Sequence, residues 1–490
     1  MRDVACGTAL RSVQAVFSGE FVMADFVAES LDFDAASFGL LCIAFRVKVG
    51  SLHMNQAKFE ESLSCVDLDV TSVLWGDGLT VAGRASLTLR CPQVHLHDTN
   101  FGAGLSLDES EIELLLMSPT CKTLSLRGVR SRSIHASDTV ITDQSGLIGP
   151  VMSDYVSFDR SSFSGRTELE VLANSLSLEQ IAILDETTFK IRYADVSLDG
   201  ADLGAAVTVV TGQDFSWVHY EGIQGEFRRF DESVFRQRHG SETARIVSLR
   251  GVDASHLLLV SVDLKRCMFA NALNLDSIQI EAAAPFSNTP RGLRGIWWWT
   301  PRQSLFEEHL WRAKQPRSSG WLTEAGLPEM LRSPYSYRPG DYGIGPERLT
   351  RIYRAVRKSY EDSKDEPGAA DFYYGEMEMR RRSTGTPAVE RGILFAYWLT
   401  SGYSLRGLRS LASLCVTLLA LSILFAQYGF AQAMPLWRAL IYSASFSLSL
   451  PYDDAPNITD FGMVLQVILR LTGPLFLGLT LLSVRNRVKR

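Results

Sequence analysis

The chain has 490 residues, a formal net charge of −6 at pH 7 and a mean hydropathy of +0.03. The acidic balance lacks the basic footprint of a nucleic-acid-binding protein, so no nucleic-acid partner is expected. The hydropathy is high for a soluble chain and low for a polytopic one, which indicates a large soluble part joined to a small membrane part. Seven scattered cysteines without a CxxC pair favour a reducing compartment.

Residues 1–285 carry short apolar pulses in which Phe or Leu follows a small residue two positions later. The pattern occurs at Ala24–Phe26, Ala36–Phe38, Ala57–Phe59, Ser161–Phe163, Thr187–Phe189 and Ala201–Leu203. Some pulses recur every five residues, a period that fits neither a helix nor a strand but a chain turning repeated corners. The region resembles a degenerate pentapeptide-repeat right-handed β-helix, and we predict a β-solenoid. The alternative is a β-sandwich with turns about every 8–12 residues, which five-residue spacing disfavours.

Chemical motifs are lacking from the predicted solenoid. Its acidic residues are dispersed, and repeat position explains many as solvated corners: Asp25, Asp195, Asp202 and Asp263. His95 and His97 share a face of a predicted strand, but no carboxylate or cysteine cluster joins them, so no metal site is expected. No GxGxxG motif after a strand, P-loop or GxSxG motif occurs. We therefore expect no cofactor and no enzyme activity.

Residues 286–345 form a linker or cap rich in proline and tryptophan. One interpretation makes Trp297, Trp298 and Trp299 an aromatic anchor at a membrane interface. The other makes this segment a cap that closes the open end of the solenoid. The cap is favoured because the tryptophans lie far before the first apolar span.

Residues 346–408 predict a helical hairpin followed by an interfacial helix. Positions 346–365 place Leu349, Ile352, Tyr353, Val356 and Tyr360 on one helical stripe. Pro367 and Gly368 are expected to break this helix before a second one at 369–383. A third helix, 388–408, has a short apolar middle between arginines, which suits a helix lying along the inner leaflet.

Residues 409–490 predict two transmembrane helices, at about 411–430 and 462–484, which flank a shorter apolar segment at 437–450. The short segment cannot span a hydrocarbon core of about 30 Å, and runs of that length are typically re-entrant or interfacial. The order long, short, long is that of a two-helix pore module. Basic residues flank both spans on the same side, and the first 17 residues lack the apolar core of a signal peptide. We expect a protein of the cell membrane with two spans and both termini in the cytoplasm.

Three stretches carry a more specific resemblance. They read RIYRAVRKSYEDSKDEPGAADFYYGEMEMRR, YWLTSGYSLR and LTGPLFLGLTLLSVRNRVKR. They are similar to a family of bacterial, chiefly actinobacterial, pentapeptide-repeat membrane proteins with a two-helix, ion-channel-like C-terminus. The resemblance extends over residues 346–490, whereas residues 1–285 share only the general repeat character of the family. The resemblance implies this architecture and leaves the activity open.

The segment after the predicted pore helix is similar in order to a potassium-channel filter. Its filter-like residues are Ser449, Leu450, Pro451, Tyr452, Asp453 and Asp454. Both filter glycines are replaced, by Pro451 and Asp453, so a potassium-type filter is not expected. If four copies form a pore, Asp453 and Asp454 place carboxylate rings at its mouth, which favour cations. The alternative is a surface loop with ordinary acidic turn residues.

The second span contains three residues of interest. If it begins near position 465, Arg470 lies about 7.5 Å inside, where it either snorkels to the headgroups or pairs with an acidic residue of the loop. Gly473 and Pro474 are candidates for a kink and a gate.

Two functional hypotheses follow. The first is an oligomeric, channel-like protein, a tetramer if it follows the two-helix channels, which combines a cation-permeable pore with a cytoplasmic solenoid. The second is a scaffold anchored in the lipid bilayer without transport activity, whose solenoid binds a protein partner.

Overall fold

A computed structural model describes residues 9–144, 146–212, 232–282, 285–290, 301–316, 319–323, 344–432, 434–448 and 457–488. These residues belong to two compact units. The first holds the strands between positions 10 and 281 together with residues 305–316. The second holds residues 344–488 together with 288–290 and 301–304. Residues of the predicted linker thus contribute to both units. The filter-like residues 449–454 and Trp297, Trp298 and Trp299 lie outside the described residues.

The first unit is a parallel β-solenoid, as predicted. Each coil contributes one longer strand or a pair of them, and these pair in parallel with the strands of the next coil. The longer strands are Phe21–Asp32, Cys42–His53, Leu63–Trp75, Arg84–Ser106, Glu111–Ser125, Val129–His135, Val151–Ser157, Thr167–Ser177, Thr187–Arg192, Asp195–Ser197, Val207–Thr211, Arg245–Ser248, Leu257–Val260 and Gln279–Glu281.

Eight two-residue strands form a separate wall of the coil: Val16–Phe17, Ser37–Phe38, Lys58–Phe59, Thr80–Val81, Val140–Ile141, Ser162–Phe163, Ala182–Ile183 and Asp202–Leu203. Leu10–Arg11 and Gly146–Leu147 instead pair with the longer strands Phe21–Asp32 and Thr167–Ser177. Two further short strands, Ser287–Asn288 and Gln303–Ser304, follow the solenoid in sequence.

Four of the six small-x-large sites of the sequence lie in this wall, whereas Ala24–Phe26 and Thr187–Phe189 lie in the longer strands Phe21–Asp32 and Thr187–Arg192. The second residue of each strand in the wall lies beside its counterpart in the next coil, from Phe17 through Phe38 and Phe59. The ring centroids of Phe38 and Phe59 are 4.5 Å apart with nearly parallel planes. The small residue that precedes, such as Ala36 or Ala57, is fully buried beside it. The repeated pattern therefore builds one continuous aromatic and aliphatic stack.

Coil length varies, which explains why the five-residue period fades. Leu31 lies beside Leu52, 21 positions later, whereas Leu52 lies beside Leu74, 22 positions later. Leu176 and Val196 are separated by 20 positions, which is four times five. Single-residue register shifts such as the one between Val49 and Ser51 keep the stack aligned but shift the sequence period.

A helix lies at the C-terminal end of the solenoid. Helix α1 (Ser233–His239) interrupts the strands, whereas α2 (Phe306–Ala313) follows them. Phe306 and Leu310 of α2 pack on Val247 and Met268 of the last coils. Glu307 accepts a hydrogen bond from the backbone N–H of Phe269. The carboxylate thus satisfies a backbone donor of a late coil.

The second unit begins with a helical hairpin, α3 (Pro346–Asp362) and α4 (Glu366–Arg382). The predicted stripe of α3, from Leu349 to Tyr360, is buried. Pro367 does not separate the helices as expected, because it occupies the first turn of α4, where its missing N–H is not needed. Asp365 caps that turn by accepting from the N–H of Gly368 at 3.0 Å.

Two carboxylates of α4 are buried in ion pairs. Glu376 lies 2.9 Å from Arg354 and 2.8 Å from Arg357. Glu378 lies 2.8 Å from Arg381 and accepts from the hydroxyl of Tyr403 at 3.3 Å. These pairs hold the hairpin together and tie it to the following residues.

Helix α5 (Ala388–Ser401) has one apolar face that no described residue covers. Val389, Ile393, Phe395 and Leu399 are exposed on it. The opposite face buries Leu394 and Ser401. This amphipathic arrangement fits the predicted interfacial helix.

Three helices complete the described chain. Helix α6 (Gly407–Leu424) continues into a π-helical turn, Phe425–Gly429. Helix α7 (Leu436–Ser447) is short, and α8 (Asp460–Val488) is long. Gly407–Gly429 and Asp460–Leu482 are long and apolar enough to cross a membrane.

Candidate membrane site

The three C-terminal helices share one apolar core. Phe425 and Phe430 follow α6, Ala439 and Tyr442 belong to α7, and the third contribution comes from α8 through Leu465 and Leu469. The short helix therefore packs against both long ones, as the long, short, long order predicts.

Helix α8 begins where α6 ends. A β-carbon built on Gly462 would lie 2.2 Å from the carbonyl oxygen of Gly429, so the two backbones touch there. The hydroxyl of Thr459 donates to the carbonyl of Tyr428 at 2.8 Å. The N–H of Ala431 donates to the carbonyl of Asn457 at 2.9 Å. The end of α6 and the start of α8 thus lie at one level, and the two helices run antiparallel.

Helix α7 runs beside α8 in the same direction. The amide nitrogen of Gln466 donates to the hydroxyl of Tyr442 at 2.9 Å. Five residues further along α7, a β-carbon on Gly473 would lie 2.2 Å from the hydroxyl oxygen of Ser447. Residue numbers increase in the same direction along both helices. Helix α7 therefore runs parallel to α8 from the level at which α8 starts.

The chain must therefore return after α7. Gly473 lies 13 residues, or about 20 Å of helix, beyond Asp460. Leu448 follows Ser447 at the level of Gly473, whereas Asn457 lies beside Ala431 at the start of α8. Nine peptide steps join Leu448 to Asn457, and an extended chain of that length spans about 30 Å, which is enough. The filter-like residues, Ser449 to Asp454, belong to this returning connection and lie outside the described residues.

Arg470 occupies a deeper position than the sequence indicated. The expectation of shallow burial assumed a span that begins near 465, but α8 begins at Asp460. Arg470 is therefore about 15 Å along the helix, near the middle of the apolar stretch Asp460–Leu482. Its side chain is exposed, and no carboxylate among the described residues forms an ion pair with it. Asp460 is ten residues away on the same helix, so within one chain it does not reach Arg470, and a pairing with Asp453 or Asp454 stays a prediction.

Gly473 and Pro474 have different roles in the fold. Gly473 is buried against the backbone of Ser447, so it permits the close approach of α7. Pro474 is exposed and lies inside an unbroken α8. Because proline has no N–H, the carbonyl of Arg470 loses its usual helical partner. A gate at this position stays a prediction.

Sequence reasoning missed the polar contacts of this core. Gln466 is half-buried and joins α8 to α7 through Tyr442. The Ser443 hydroxyl is fully buried and has no hydrogen-bond partner among the residues that the structure describes. The available signal was a single amide on the apolar face of the second span.

The solenoid also brings together groups that are distant in sequence. Asp159, Glu179 and Asp199 occupy equivalent positions of successive coils, because the coils there are 20 residues long. Burial, followed by the neighbouring Glu179, raises the pKa of the Asp199 carboxyl to about 7. Arg250 forms an ion pair with Asp199. The expected dispersal of acidic residues therefore fails for this row, although no group able to hold a metal occurs in the described part.

Comparison with known proteins gives no relative: no family model, no curated protein and no solved structure matches this chain. The resemblance to bacterial pentapeptide-repeat membrane proteins stays a prediction. The chain is a β-solenoid protein whose C-terminal helices include two that are long and apolar enough to cross a membrane.

Proposed function

We propose that copies of the second unit assemble in a membrane into an ion-conducting pore, with the connection between Leu448 and Asn457 lining its axis. The observation that carries the proposal is the parallel packing of α7 on α8, which places the end of α7 beside Gly473 while Asn457 lies at the start of α8. This is the topology of a pore loop held between an outer and an inner helix.

The two described ends of the connection, Leu448 and Asn457, lie about 20 Å apart along α8, whereas nine residues of helix rise only about 13 Å. Non-helical backbone at membrane depth is tolerated only where protein or a water-filled cavity shields it from lipid. One copy with two spans cannot enclose such a cavity. An oligomer provides both the protein walls and the water, and four copies are the arrangement that a two-helix pore module uses.

The remaining surfaces fit a membrane location. The exposed residues of α8 are mostly apolar, among them Val464, Ile468, Leu471 and Leu475. The open apolar face of α5 would lie in the interface beside the first span. The proposal retains the cell membrane as the location and the cytoplasm for both termini, because the basic flanks of the two spans favour that side.

The solenoid is the soluble domain of the proposed assembly. We assign it a protein partner and no catalytic step or cofactor. Its pentapeptide-repeat ancestry is supported by the coils between Phe158 and Leu203, where registers advance by 20 residues. The cation preference expected from Asp453 and Asp454 rests on residues outside the described part.

The test uses the purified full-length chain reconstituted in nanodiscs and in planar bilayers. The proposal predicts an oligomer by native mass spectrometry and discrete current steps in the bilayer. A folded, inserted monomer that passes no current would contradict it and favour the anchored scaffold.

A further inference from the structure

We propose that the open apolar face of α5, together with the arginines along one edge of it, binds anionic phospholipids at the surface of the bilayer. The inference uses the membrane location proposed for the second unit and does not depend on the pore. It names the class of lipid that this unit selects.

The open face of α5 is a continuous apolar strip. Four large apolar side chains are exposed on it: Val389 by 77%, Ile393 by 64%, Phe395 by 48% and Leu399 by 52%. At 3.6 residues per turn these side chains fall within about 160° of the helix circumference. Gly392 and Ala396, which lie between them, are exposed and uncharged as well. An open apolar face of this kind marks an interaction site, and its uncharged character suits the acyl boundary of a lipid monolayer.

One edge of the strip is basic and aromatic. Arg391 and Trp398 are seven residues, or two helical turns, apart, so they follow one row beside Phe395. The guanidinium of Arg409 lies 4.5 Å from the ring centre of Trp398, and that of Arg381 lies 4.8 Å from the same ring. Arg381 also lies 5.9 Å from the ring centre of Phe395. Cation–π contacts therefore hold two positive charges along the apolar strip.

The surrounding segment is basic in a chain that is acidic as a whole. Residues 378–409 contain six arginines and two glutamates, a formal charge of +4, whereas the whole chain carries −6. Glu347 of α3 accepts from the N–H of Gly385 at 3.0 Å and brings one more negative charge to the segment. An excess of positive charge remains beside the strip, which favours an anionic partner.

This surface lies where the first candidate span begins. The carbonyl of Leu399 accepts from Nε of Arg409 at 3.1 Å, and the carbonyl of Thr400 accepts from the hydroxyl of Ser413 at 2.8 Å. The end of α5 is thus bonded to the first two turns of α6, whose stretch Gly407–Gly429 is long and apolar enough to cross a membrane. With that stretch in a bilayer, α5 lies in the interfacial layer, where tryptophan and arginine side chains meet the headgroups.

The chemistry of these groups matches an anionic phospholipid. A planar guanidinium can donate two parallel hydrogen bonds to one phosphate group. Anionic lipids attract clusters of arginine and lysine that lie directly beside a span. A soluble phosphate would satisfy the arginines but leave the apolar strip in water. A lipid offers the phosphate and the acyl chain together, so it fits both parts of the surface.

The experiment counts the lipids that the full-length chain retains. Delipidated protein in detergent is equilibrated with equal amounts of phosphatidylglycerol and phosphatidylcholine of identical acyl chains and is then re-isolated for mass spectrometry. The wild type is expected to retain phosphatidylglycerol over phosphatidylcholine severalfold. Arg391→Gln combined with Arg409→Gln should bring this ratio close to one. Arg391→Lys combined with Arg409→Lys keeps both charges and should keep most of the preference.

A matched control removes two positive charges elsewhere. Lys364→Gln lies in the connection between α3 and α4, at the other end of α4 from Arg381, and Arg266→Gln lies in the solenoid. Both positions are exposed, and this double variant should retain the wild-type ratio. Thermal unfolding of each variant shows that the comparison is made on folded protein.

The apolar strip is tested separately by Ile393→Ser. This change should lower the number of retained phosphatidylglycerol molecules and leave the mass of the assembly in native mass spectrometry unchanged. Loss of the assembly with unchanged lipid retention would assign the strip to a second copy of the chain and overturn the inference.

Three further results would overturn the inference while the pore stands. The first is equal retention of the two lipids by the wild type, and the second is an unchanged ratio in the double glutamine variant. The third is displacement of phosphatidylglycerol by glycerol phosphate, which would indicate a site for a soluble anion. Conversely, an inserted protein that selects phosphatidylglycerol through these arginines but passes no current would support this inference and remove the pore.

Discussion

Ser447 packs so closely on Gly473 that any side chain at position 473 would overlap it. A β-carbon there would lie 2.6 Å from the Ser447 carbonyl oxygen and 2.8 Å from its α-carbon. Both are backbone atoms, which cannot rotate away. The contact fixes how deep α7 reaches along α8, and therefore where the returning connection begins.

Gly473→Ala should separate α7 from α8. Overpacking of this kind typically costs about 1–3 kcal/mol, which exceeds the gain of roughly 1 kcal/mol from alanine's helix propensity. We expect a lower melting temperature of the detergent-solubilised protein and loss of current. Gly478→Ala is the matched control, because a β-carbon there meets nothing within 4 Å. Equal melting temperatures for the two variants would show that the close contact does not hold α7.

The hydrogen bond between Gln466 and Tyr442 should couple the two helices energetically. Interhelical hydrogen bonds in membrane proteins average about 0.6 kcal/mol in double-mutant cycles. Tyr442→Phe and Gln466→Leu, singly and together, should give a favourable coupling of about that size in unfolding experiments. Strict additivity of the two substitutions would argue against the bond.

Glu307 should make solenoid stability depend on pH. Burial raises the pKa of its carboxyl from 4.5 to about 7, and the donating N–H groups of Phe269 and Ala270 offset part of that effect. Between these pH values the folded chain binds more protons than the unfolded chain, so the free energy of unfolding falls as pH rises. The loss amounts to at most about 3 kcal/mol from this group.

Glu307→Gln should remove this part of the pH dependence and make the protein more stable than wild type above neutral pH. Asp199 contributes a slope of the same sign, so some dependence should persist. Urea unfolding at a series of pH values between 4.5 and about 7 measures the pH dependence of stability for wild type and variant. The exposed Glu60→Gln serves as control. Parallel slopes for wild type and Glu307→Gln would contradict this account of the carboxyl.

Truncation of Phe59 should strongly destabilise the solenoid core. It is 3% exposed and stacks on Phe38, so Phe59→Ala removes both burial and an aromatic contact. Large-to-small core changes of this type cost about 3–5 kcal/mol. Lys58→Ala, on the outward position of the same two-residue strand, should change stability by less than about 0.5 kcal/mol. Similar denaturation midpoints for the two variants would exclude the stacked wall as a stabilising element.

The stacked wall was predictable because its signal is local. Ala57 and Phe59 specify a corner on their own, whatever the length of the coil. The register between coils was not predictable, since shifts of one residue, such as that between Val49 and Ser51, leave no mark in the pattern. The row of Asp159, Glu179 and Asp199 emerges only once the coil length of 20 is known.

The order of helices in the membrane site was predictable from the sequence, but the depth of Arg470 in the second span was not. The expectation for Arg470 assumed a span that begins near position 465, five residues after the helix begins, and so left Arg470 near one end. The structure starts α8 at Asp460, because Thr459 and Gly462 contact the end of α6. From the sequence Gly473 was a candidate for a kink and a gate, because the sequence does not show that α7 packs against it.

The most direct test of the account asks on which side of the membrane the two ends of the returning segment lie. Met434 precedes α7 and Asn457 precedes α8, so cysteines at these positions report on the path between them. Cys415 is exposed and is first replaced by serine. In sealed vesicles, an impermeant thiol reagent should label Met434→Cys and Asn457→Cys from the same side. Labelling from opposite sides would mean that the chain crosses the membrane between them, which would contradict the re-entrant path and the pore built on it.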